Sequence, residues 1–231
     1  GRRGYGGWRA LQQLGDRVDD PLVVKARDTF LSQNSLSVLG YGLYFGVMLT
    51  IALYNLYLAI IFRDRVYLSF TAYVLLFALL QMSLHGFLRQ YAFPLRSDLD
   101  NQALRFLILA PSIASLLFSR RFLNTRQYAP LLDRLLLALI VIDTVLLVVV
   151  PFLDILTALR ILNLHTLIAP LLAASAGIVC YLRGFKPARY YLAARTCFYA
   201  SLCIFAVNNM VFHNHNFISW YGMMLGSLLE A

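Results

Sequence analysis

The sequence has few charged residues for its length. Only 13% of its 231 residues are Asp, Glu, Lys or Arg, whereas a soluble domain has about 25%. Hydrophobic residues make up 60% of the chain, and the mean hydropathy is +0.69. Because so few charges cannot cover the surface of a soluble globule, the composition predicts an integral membrane protein.

The motifs of soluble enzymes and metal proteins are also missing. The three cysteines lie in apolar runs without a metal-binding spacing. His213 and His215 have no third His or carboxylate nearby, so no metal site is predicted. No GxSxG, HExxH or phosphate-binding loop occurs, and no set of nucleophile, base and orienting group is recognisable. We therefore expect no cofactor and no catalytic activity in these residues.

The charge that is present is mostly positive. Twenty Lys and Arg residues against 11 Asp and Glu residues give a formal net charge of +9. The basic residues lie in short segments between apolar runs, which indicates contact with anionic lipid headgroups and not with nucleic acid. The lipid bilayer is accordingly the first predicted partner.

Apolar runs predict seven helices that cross or enter the membrane. A helix needs about 20 residues to cross a hydrocarbon core of about 30 Å. Six predicted spans meet this length or approach it: Leu36–Phe62, Val66–His85, Ala103–Phe118 with an extension to Phe122, Leu135–Leu153, Arg160–Leu182 and Tyr190–Val211. A seventh run begins near Phe217 and rises only about 22 Å before Ala231, so we expect the sequence to stop within its seventh helix. The predicted fold class is an all-α membrane protein, a bundle of seven transmembrane helices.

Lys and Arg in short loops predict the orientation, because they favour the cytoplasmic side. The loops after the first, third and fifth runs carry nine such residues: Arg63, Arg65, Arg120, Arg121, Arg126, Arg134, Arg183, Lys186 and Arg189. The other loops carry four: Arg89, Arg96, Arg105 and Arg160. Three more in the N-terminal tail narrow the difference to nine against seven: Arg17, Lys25 and Arg27. We place the nine in the cytoplasm and the N-terminus outside, because a tail attached to a folded ectodomain crosses largely regardless of its charge.

The loops and the tail complete the predicted organisation. Arg63-Asp64-Arg65 interrupts two apolar runs for three residues and predicts a tight turn between antiparallel spans. Residues 1–35 are predicted to be an extracytoplasmic juxtamembrane segment, and residues 36–231 the seven-transmembrane domain. Within the tail, Asp20-Pro21 is typical of a helix start, and we expect a short helix that ends before the first span.

Polar residues inside the spans are the candidate structural or signalling positions, because each is costly in lipid without a partner. Asp143 lies in the middle of the fourth run, either as a proton or cation site or as a carboxyl that fixes helix packing. The packing interpretation is favoured because no second acid or Lys lies at its depth, and His165 is not expected to reach it. Asn55 in the first run is expected to hydrogen-bond across helices.

Arg195 and Glu230 are predicted to pair across the sixth and seventh spans. Arg195 lies five residues past Tyr190, or about 7–8 Å into the membrane from the cytoplasmic face. Glu230 lies about 20 Å down from the outer face, or about 10 Å from the cytoplasmic one. The two spans are consecutive and antiparallel, so an ion pair would satisfy both charges.

Five stretches of the sequence carry a family resemblance. They are YGLYFGVMLTIALYNLYLAIIFRDRVYLSF at 41–70, LLQMSLHGFLRQYAFP at 79–94, FSRRFLNTRQYAPLLDRLL at 118–136, RGFKPARYYLAA at 183–194 and MLGSLLEA at 224–231. In order and spacing they resemble the transmembrane region of bacterial seven-transmembrane receptors with diverse intracellular signalling modules. The resemblance covers about residues 36–231.

The resemblance implies a signalling function. In that family an extracytoplasmic β-sandwich, thought to bind carbohydrate-like ligands, precedes the helices, and a histidine kinase, diguanylate cyclase or related output domain follows them. Tyr54-Asn55, Pro187-Ala188-Arg189, Gly226 and Glu230 match signature positions, whereas Arg195 stands where an aromatic residue is common.

We therefore expect a signal relay in the bacterial inner membrane. Its expected partners are its own sensor and output domains and, as a further candidate, a second copy of the chain. The ligand is unassigned. The alternative is a small transporter or channel that uses Asp143.

Overall fold

A computed structural model describes residues 21–92, 97–207, 224, 226–228 and 230 of the chain. Within these residues the chain is helical, with no strand. It divides between Phe45 and Gly46 into two compact units.

Seven α-helices are described: α1 (Pro21–Phe62), α2 (Arg65–Leu84), α3 (Ser97–Phe122), α4 (Thr125–Tyr128), α5 (Pro130–Val149), α6 (Ile155–Leu182) and α7 (Ala188–Val207). A π-helical turn follows α2 at Leu88–Ala92, and a 3-10 turn follows α5 at Val150–Phe152. Residues 224, 226–228 and 230 are also helical and are called the C-terminal helix below.

Five helical segments of the described residues are long and apolar enough to cross a membrane. They are Val38–Phe62, Arg65–Leu84, Gln102–Phe122, Pro130–Phe152 and Arg160–Leu182. They overlap the first five predicted spans, including the extension of the third to Phe122, and the fourth begins five residues earlier than predicted. The sixth predicted span overlaps α7, and much of the seventh lies outside the described residues.

The first unit contains the beginning of α1. The described part of this helix begins at Pro21, and Asp20, the predicted cap, lies outside the described residues. The predicted end before the first span is wrong, because α1 continues without a break to Phe62. The polar residues 32–35 each lower helix propensity by only a fraction of a kcal/mol, and neither Pro nor Gly occurs between positions 22 and 39. Nothing in the sequence is therefore strong enough to end the helix there.

The second unit has its apolar side chains facing outward. On α5, Val141 and Ile142 are more than half exposed, whereas the neighbouring Asp143 is 0% exposed. A soluble helix would place the carboxylate outside and the branched aliphatic residues inside. This reversal is the pattern of a helix surrounded by lipid, and it agrees with the membrane assignment.

Helix α3 is central to the second unit, where it packs against α2, α5 and α6, while α6 packs against α7. Small side chains let these helices approach closely. Ala169, Ala173 and Ala176 are buried along one face of α6. Beside them, a Cβ built on Gly177 would lie 2.8 Å from Leu192 Cδ2 of α7, so any larger residue at this crossing would require the Leu192 side chain to move.

The α1–α2 turn is as tight as predicted. Only Arg63 and Asp64 separate the two helices, and the Val66 N–H donates to Asp64 Oδ1 at 2.9 Å. Such a side-chain cap satisfies one of the free N–H groups at the start of α2. Arg63 has a φ of 51°, in the left-handed region that such a short reversal requires.

Arginine side chains tie this turn to two others at one end of the unit, which we call the arginine-rich end (residues 63–65, 120–134 and 183–189). Arg121 donates to the Arg65 carbonyl at 3.2 Å and also contacts the Ser69 hydroxyl. Arg183, at the end of α6, donates to the Tyr128 carbonyl at 2.7 Å. The three turns therefore hold one another in position.

A bidentate ion pair joins α3 to α5 at the same end. Arg120 donates to both oxygens of Asp133 at 2.6 and 2.9 Å, and the Thr125 hydroxyl donates to Asp133 Oδ1 at 2.7 Å. The predicted span began at Leu135, but α5 begins five residues earlier, at Pro130, and the ion pair accounts for this difference. The paired carboxylate is compatible with a helix that continues inward, and Pro130 suits a first helical position.

We expect Asp133→Asn to destabilise the protein by about 2 kcal/mol, because the Arg120 guanidinium loses its charged acceptor. Unfolding of the purified protein in mixed micelles, followed by circular dichroism as SDS is added, measures the change. Arg134→Gln is the matched control, since Arg134 is exposed and lies next to Asp133 in sequence. Equal midpoints for the two variants would show that the pair does not stabilise the fold.

Candidate functional site

Arg195 of α7 and Glu230 of the C-terminal helix form a buried ion pair. Arg195 Nη1 lies 2.7 Å from Glu230 Oε1, and the two side chains are 5% and 4% exposed. The predicted pairing is therefore confirmed. Its role in signalling stays a prediction.

Hydroxyl groups and aromatic rings from neighbouring helices complete the pair. The Tyr73 hydroxyl of α2 donates to Glu230 Oε2 at 3.0 Å, and Arg195 Nη2 donates to Ser115 Oγ of α3 at 2.6 Å. The guanidinium also lies 5.4 Å from the ring centroids of Tyr73 and Tyr191, within the range of a cation–π contact. The pair thus joins α2, α3, α7 and the C-terminal helix.

Two pairs of residues spaced four apart build the contact between α3 and α7. Ser115 and Ser119 are one turn apart on α3, as are Tyr191 and Arg195 on α7, so each pair shares a helix face. Ser119 Oγ lies 2.8 Å from the Tyr191 hydroxyl, one turn away from the Ser115–Arg195 hydrogen bond. The two contacts fix the position of Arg195 along α3.

A second buried cluster joins α3, α5 and α6. Asp143 Oδ1 lies 3.0 Å from His165 Nδ1, and His165 Nε2 hydrogen-bonds to Ser112 Oγ at 2.8 Å. The Asp143 and His165 side chains are 0% and 5% exposed. The expectation that His165 does not reach Asp143 is therefore wrong.

Helix boundaries explain this contact. Both helices start five residues earlier than the predicted spans, α5 at Pro130 and α6 at Ile155, where Asp154 caps the helix by accepting from the Thr157 N–H at 3.0 Å. Asp143 and His165 then each lie about 3.5 residues, or about 5 Å, from the middle of their helix. Because the short 3-10 turn makes the helices antiparallel, both displacements are toward the same end, and the side chains meet.

The order Ser112–His165–Asp143 resembles that of nucleophile, base and orienting group, but the Asp143 carboxylate makes no hydrogen bond to His165 in the described residues. The expectation of no catalytic activity stays a prediction. Acyl transfer further requires donors directed at the developing oxyanion. Ser112 lies in the interior of α3, where backbone N–H groups bond to carbonyls of the preceding turn. Its own backbone therefore supplies no oxyanion hole, and the arrangement is better suited to holding a buried carboxyl than to hydrolysis.

Asn55 makes a local hydrogen bond and not the expected contact across helices. Its Nδ2 donates to the Ile51 carbonyl of α1 at 2.9 Å. A short polar side chain can satisfy itself on the preceding turn of its own helix, which removes the need for a partner helix.

Two cavities border the clusters. The serine cavity, of about 220 Å³, lies among α2, α3, α6 and α7, and its polar side includes Ser112, Ser115, His165 and Arg195. The turn cavity, of about 460 Å³, adjoins the α1–α2 turn, and its lining includes Asn55, Asp64, Arg195 and Glu230. Arg195 lines both cavities. Three of the four candidate residues thus meet at the turn cavity, and Asp143 belongs to the other cluster.

Sequence reasoning missed the hydroxyl groups that complete both clusters: Tyr73, Ser112, Ser115, Ser119 and Tyr191. Single Ser and Tyr residues are common within apolar runs and do not by themselves indicate a hydrogen bond between helices. The spacing of four residues in Ser115/Ser119 and Tyr191/Arg195 is the signal that was available. No group of residues suited to a metal ion occurs among those that the structure describes, and His213 and His215 lie outside them.

The fold and the site together define a multi-pass membrane protein with charged groups paired between its helices. The family model for 7TM diverse intracellular signalling matches residues 37–231, which confirms the resemblance carried by the five stretches. The chain belongs to this family and is a membrane signalling module. No curated protein and no solved structure gave a significant match to the chain.

We expect Arg195→Gln and Glu230→Gln each to destabilise the protein by about 3 kcal/mol or more, because each leaves a buried partner without its counter-charge. The double variant should be destabilised by clearly less than the sum, which is the sign of direct coupling. SDS-induced unfolding in mixed micelles measures the free energy of unfolding of the wild type, the two single variants and the double variant. Arg189→Gln, at the exposed start of α7, should be additive with Glu230→Gln. Additivity of the Arg195 and Glu230 changes would contradict the pair.

Proposed function

We propose that the chain relays a signal across the bacterial inner membrane. A ligand bound by an extracytoplasmic sensor domain on the N-terminal side would change the helix arrangement. The C-terminal helix would carry the change to a histidine kinase or diguanylate cyclase in the cytoplasm. Membership of the 7TM diverse intracellular signalling family supports the signalling part of this proposal.

The observation that carries the proposal is the attachment of the C-terminal helix through Glu230. This side chain accepts from Tyr73 and pairs with Arg195, so the helix is bound to α2 and α7 at one buried point. A helix held in this way has two distinguishable arrangements, paired and separated. Packed helices change between discrete arrangements and do not deform continuously, as a relay requires.

The energy of the pair is suitable for a switch. Shifting a two-state equilibrium from 1:99 to 99:1 requires about 5.5 kcal/mol. Leaving one partner of a buried ion pair unpaired costs about 3–5 kcal/mol. The two quantities are of similar size, so the Arg195–Glu230 pair can determine which arrangement predominates.

The arginine-rich end supports the proposed orientation. Arg126, Arg134 and Lys186 are exposed there, at positions where they can contact anionic headgroups. Placing this end in the cytoplasm puts the N-terminus outside and directs the C-terminal helix toward the cytoplasm.

The second candidate function is proton or cation transport through Asp143. Asp143 has an ionisable neighbour at its depth, His165, which was not expected to reach it. Asp and His side chains within a membrane are components of proton relays in pumps and transporters. A proton flux into proteoliposomes that disappears in Asp143→Asn would favour transport over relay.

The relay is tested in the complete protein in its own membrane, by measuring autophosphorylation or cyclic dinucleotide formation without stimulus. We expect Arg195→Gln and Glu230→Gln to change this basal output about fivefold or more, which corresponds to about 1 kcal/mol of population shift. The exchanged pair Arg195→Glu with Glu230→Arg should return the output toward wild type, and Thr196→Ala, at the exposed position next to Arg195, should leave it unchanged. Wild-type output in both single variants, or a complete protein without an output domain, would contradict the relay.

A further inference from the structure

We propose that the serine cavity is a binding site for a small neutral molecule that has a compact apolar body and one oxygen atom able to accept a hydrogen bond. The proposal goes beyond the relay and does not depend on it, because binding is measured without any output. It rests on the size, the lining and the charge balance of the cavity.

The volume sets the size of the ligand. An apolar cavity of about 150 Å³ is large enough for benzene. The serine cavity measures about 220 Å³. It therefore accommodates a six-membered ring with a short substituent.

The lining has the composition of a small-molecule site. Apolar side chains predominate, among them Phe77, Leu80, Ile108 and Phe198. The polar groups are few and include the two serines of α3. Ligand pockets typically combine mostly apolar walls with a small number of polar groups that orient the ligand.

The charge balance indicates that the ligand is neutral. Arg195 has Glu230 at 2.7 Å, and His165 has Asp143 at 3.0 Å. Each ionisable group that lines the cavity thus already has an acidic partner. A charged ligand would lose its hydration without gaining an unpaired counter-charge, and charge is costly at membrane depth.

Ser115 supplies the hydrogen bond that a ligand needs. A serine hydroxyl has one donor and two acceptor positions. Ser115 Oγ accepts from Arg195 Nη2 at 2.6 Å, and no acceptor for its own proton is found in the described part of the chain. A carbonyl, ether or hydroxyl oxygen in the cavity would receive this proton. A lipid acyl chain would leave it unsatisfied, so an oxygen-containing ligand is favoured over the surrounding bilayer.

A ligand bound in the serine cavity would also affect the Arg195–Glu230 ion pair. Arg195 donates to Ser115 on the cavity side and pairs with Glu230 on the other. A ligand oxygen close to Ser115 would alter the position of the guanidinium. If the chain is a relay, the cavity is then a second input, inside the membrane.

The test uses the protein in lipid nanodiscs and fluorine NMR line broadening of three matched probes. The probes are 2-(4-fluorophenyl)ethanol, the hydrocarbon 1-ethyl-4-fluorobenzene and the anion 4-fluorophenylacetate. Nanodiscs without protein correct for partition into lipid. Ala173→Phe is the blocking variant, because Ala173 is buried and lines the cavity.

We expect the alcohol to be broadened about fivefold more by the wild type than by Ala173→Phe, and about fivefold more than the hydrocarbon, the effect of roughly one hydrogen bond. The anion should show no excess over empty nanodiscs. Ser115→Ala keeps the cavity but should remove the preference for the alcohol over the hydrocarbon.

Three results would overturn the proposal. The first is equal broadening of the alcohol by the wild type and by a folded Ala173→Phe variant. The second is equal binding of hydrocarbon and alcohol by the wild type, which would indicate a cavity for acyl chains. The third is a preference for the anion. If Ala173→Phe does not fold, Ser115→Ala decides, and an unchanged preference for the alcohol contradicts the assigned hydrogen bond.

Discussion

The pairing of Arg195 with Glu230 is the interaction on which the arrangement of the second unit depends. Either charge without its partner is costly within lipid. The hydrogen bonds of the pair are complete only when Tyr73 and Ser115 are also in place. Helices α2, α3, α7 and the C-terminal helix must therefore assemble together. The pair is also the point at which the C-terminal helix can be released or held, so the structural constraint and the proposed function involve the same atoms.

The same constraint recurs at two other levels of the bundle. Asp143 contacts His165 between α5 and α6, and Asp133 pairs with Arg120 at the arginine-rich end. Helix α3 contributes to all three clusters, through Ser112, Ser115 and Arg120. A displacement of α3 would consequently change a polar contact in each of the three clusters, whereas its apolar contacts could be replaced by lipid. The polar groups thus specify one arrangement among many that are equally apolar.

Sequence reasoning succeeded where composition or a simple count of residues was sufficient. Long apolar runs located the first five spans, and counting along two consecutive helices brought Arg195 and Glu230 to the same depth. It failed for Asp143 and His165, because their depths depend on where α5 and α6 begin, which Pro130 and Asp154 determine. It also failed for Asn55 and for the hydroxyl groups, since rotation about the helix axis decides their partners and a single sequence contains little information on rotation.

The distance between Arg195 and Glu230 in a bilayer tests the account most directly. Glu230 is the only glutamate in the sequence, so labelling glutamate with ¹³C and arginine with ¹⁵N gives one carboxylate signal. Solid-state dipolar recoupling in liposomes measures its distance to the nearest guanidinium nitrogen. We predict a distance of about 4 Å, in the range of an ion pair, and loss of the coupling in Arg195→Gln. A distance beyond about 6 Å, or a coupling that survives Arg195→Gln, would contradict the account.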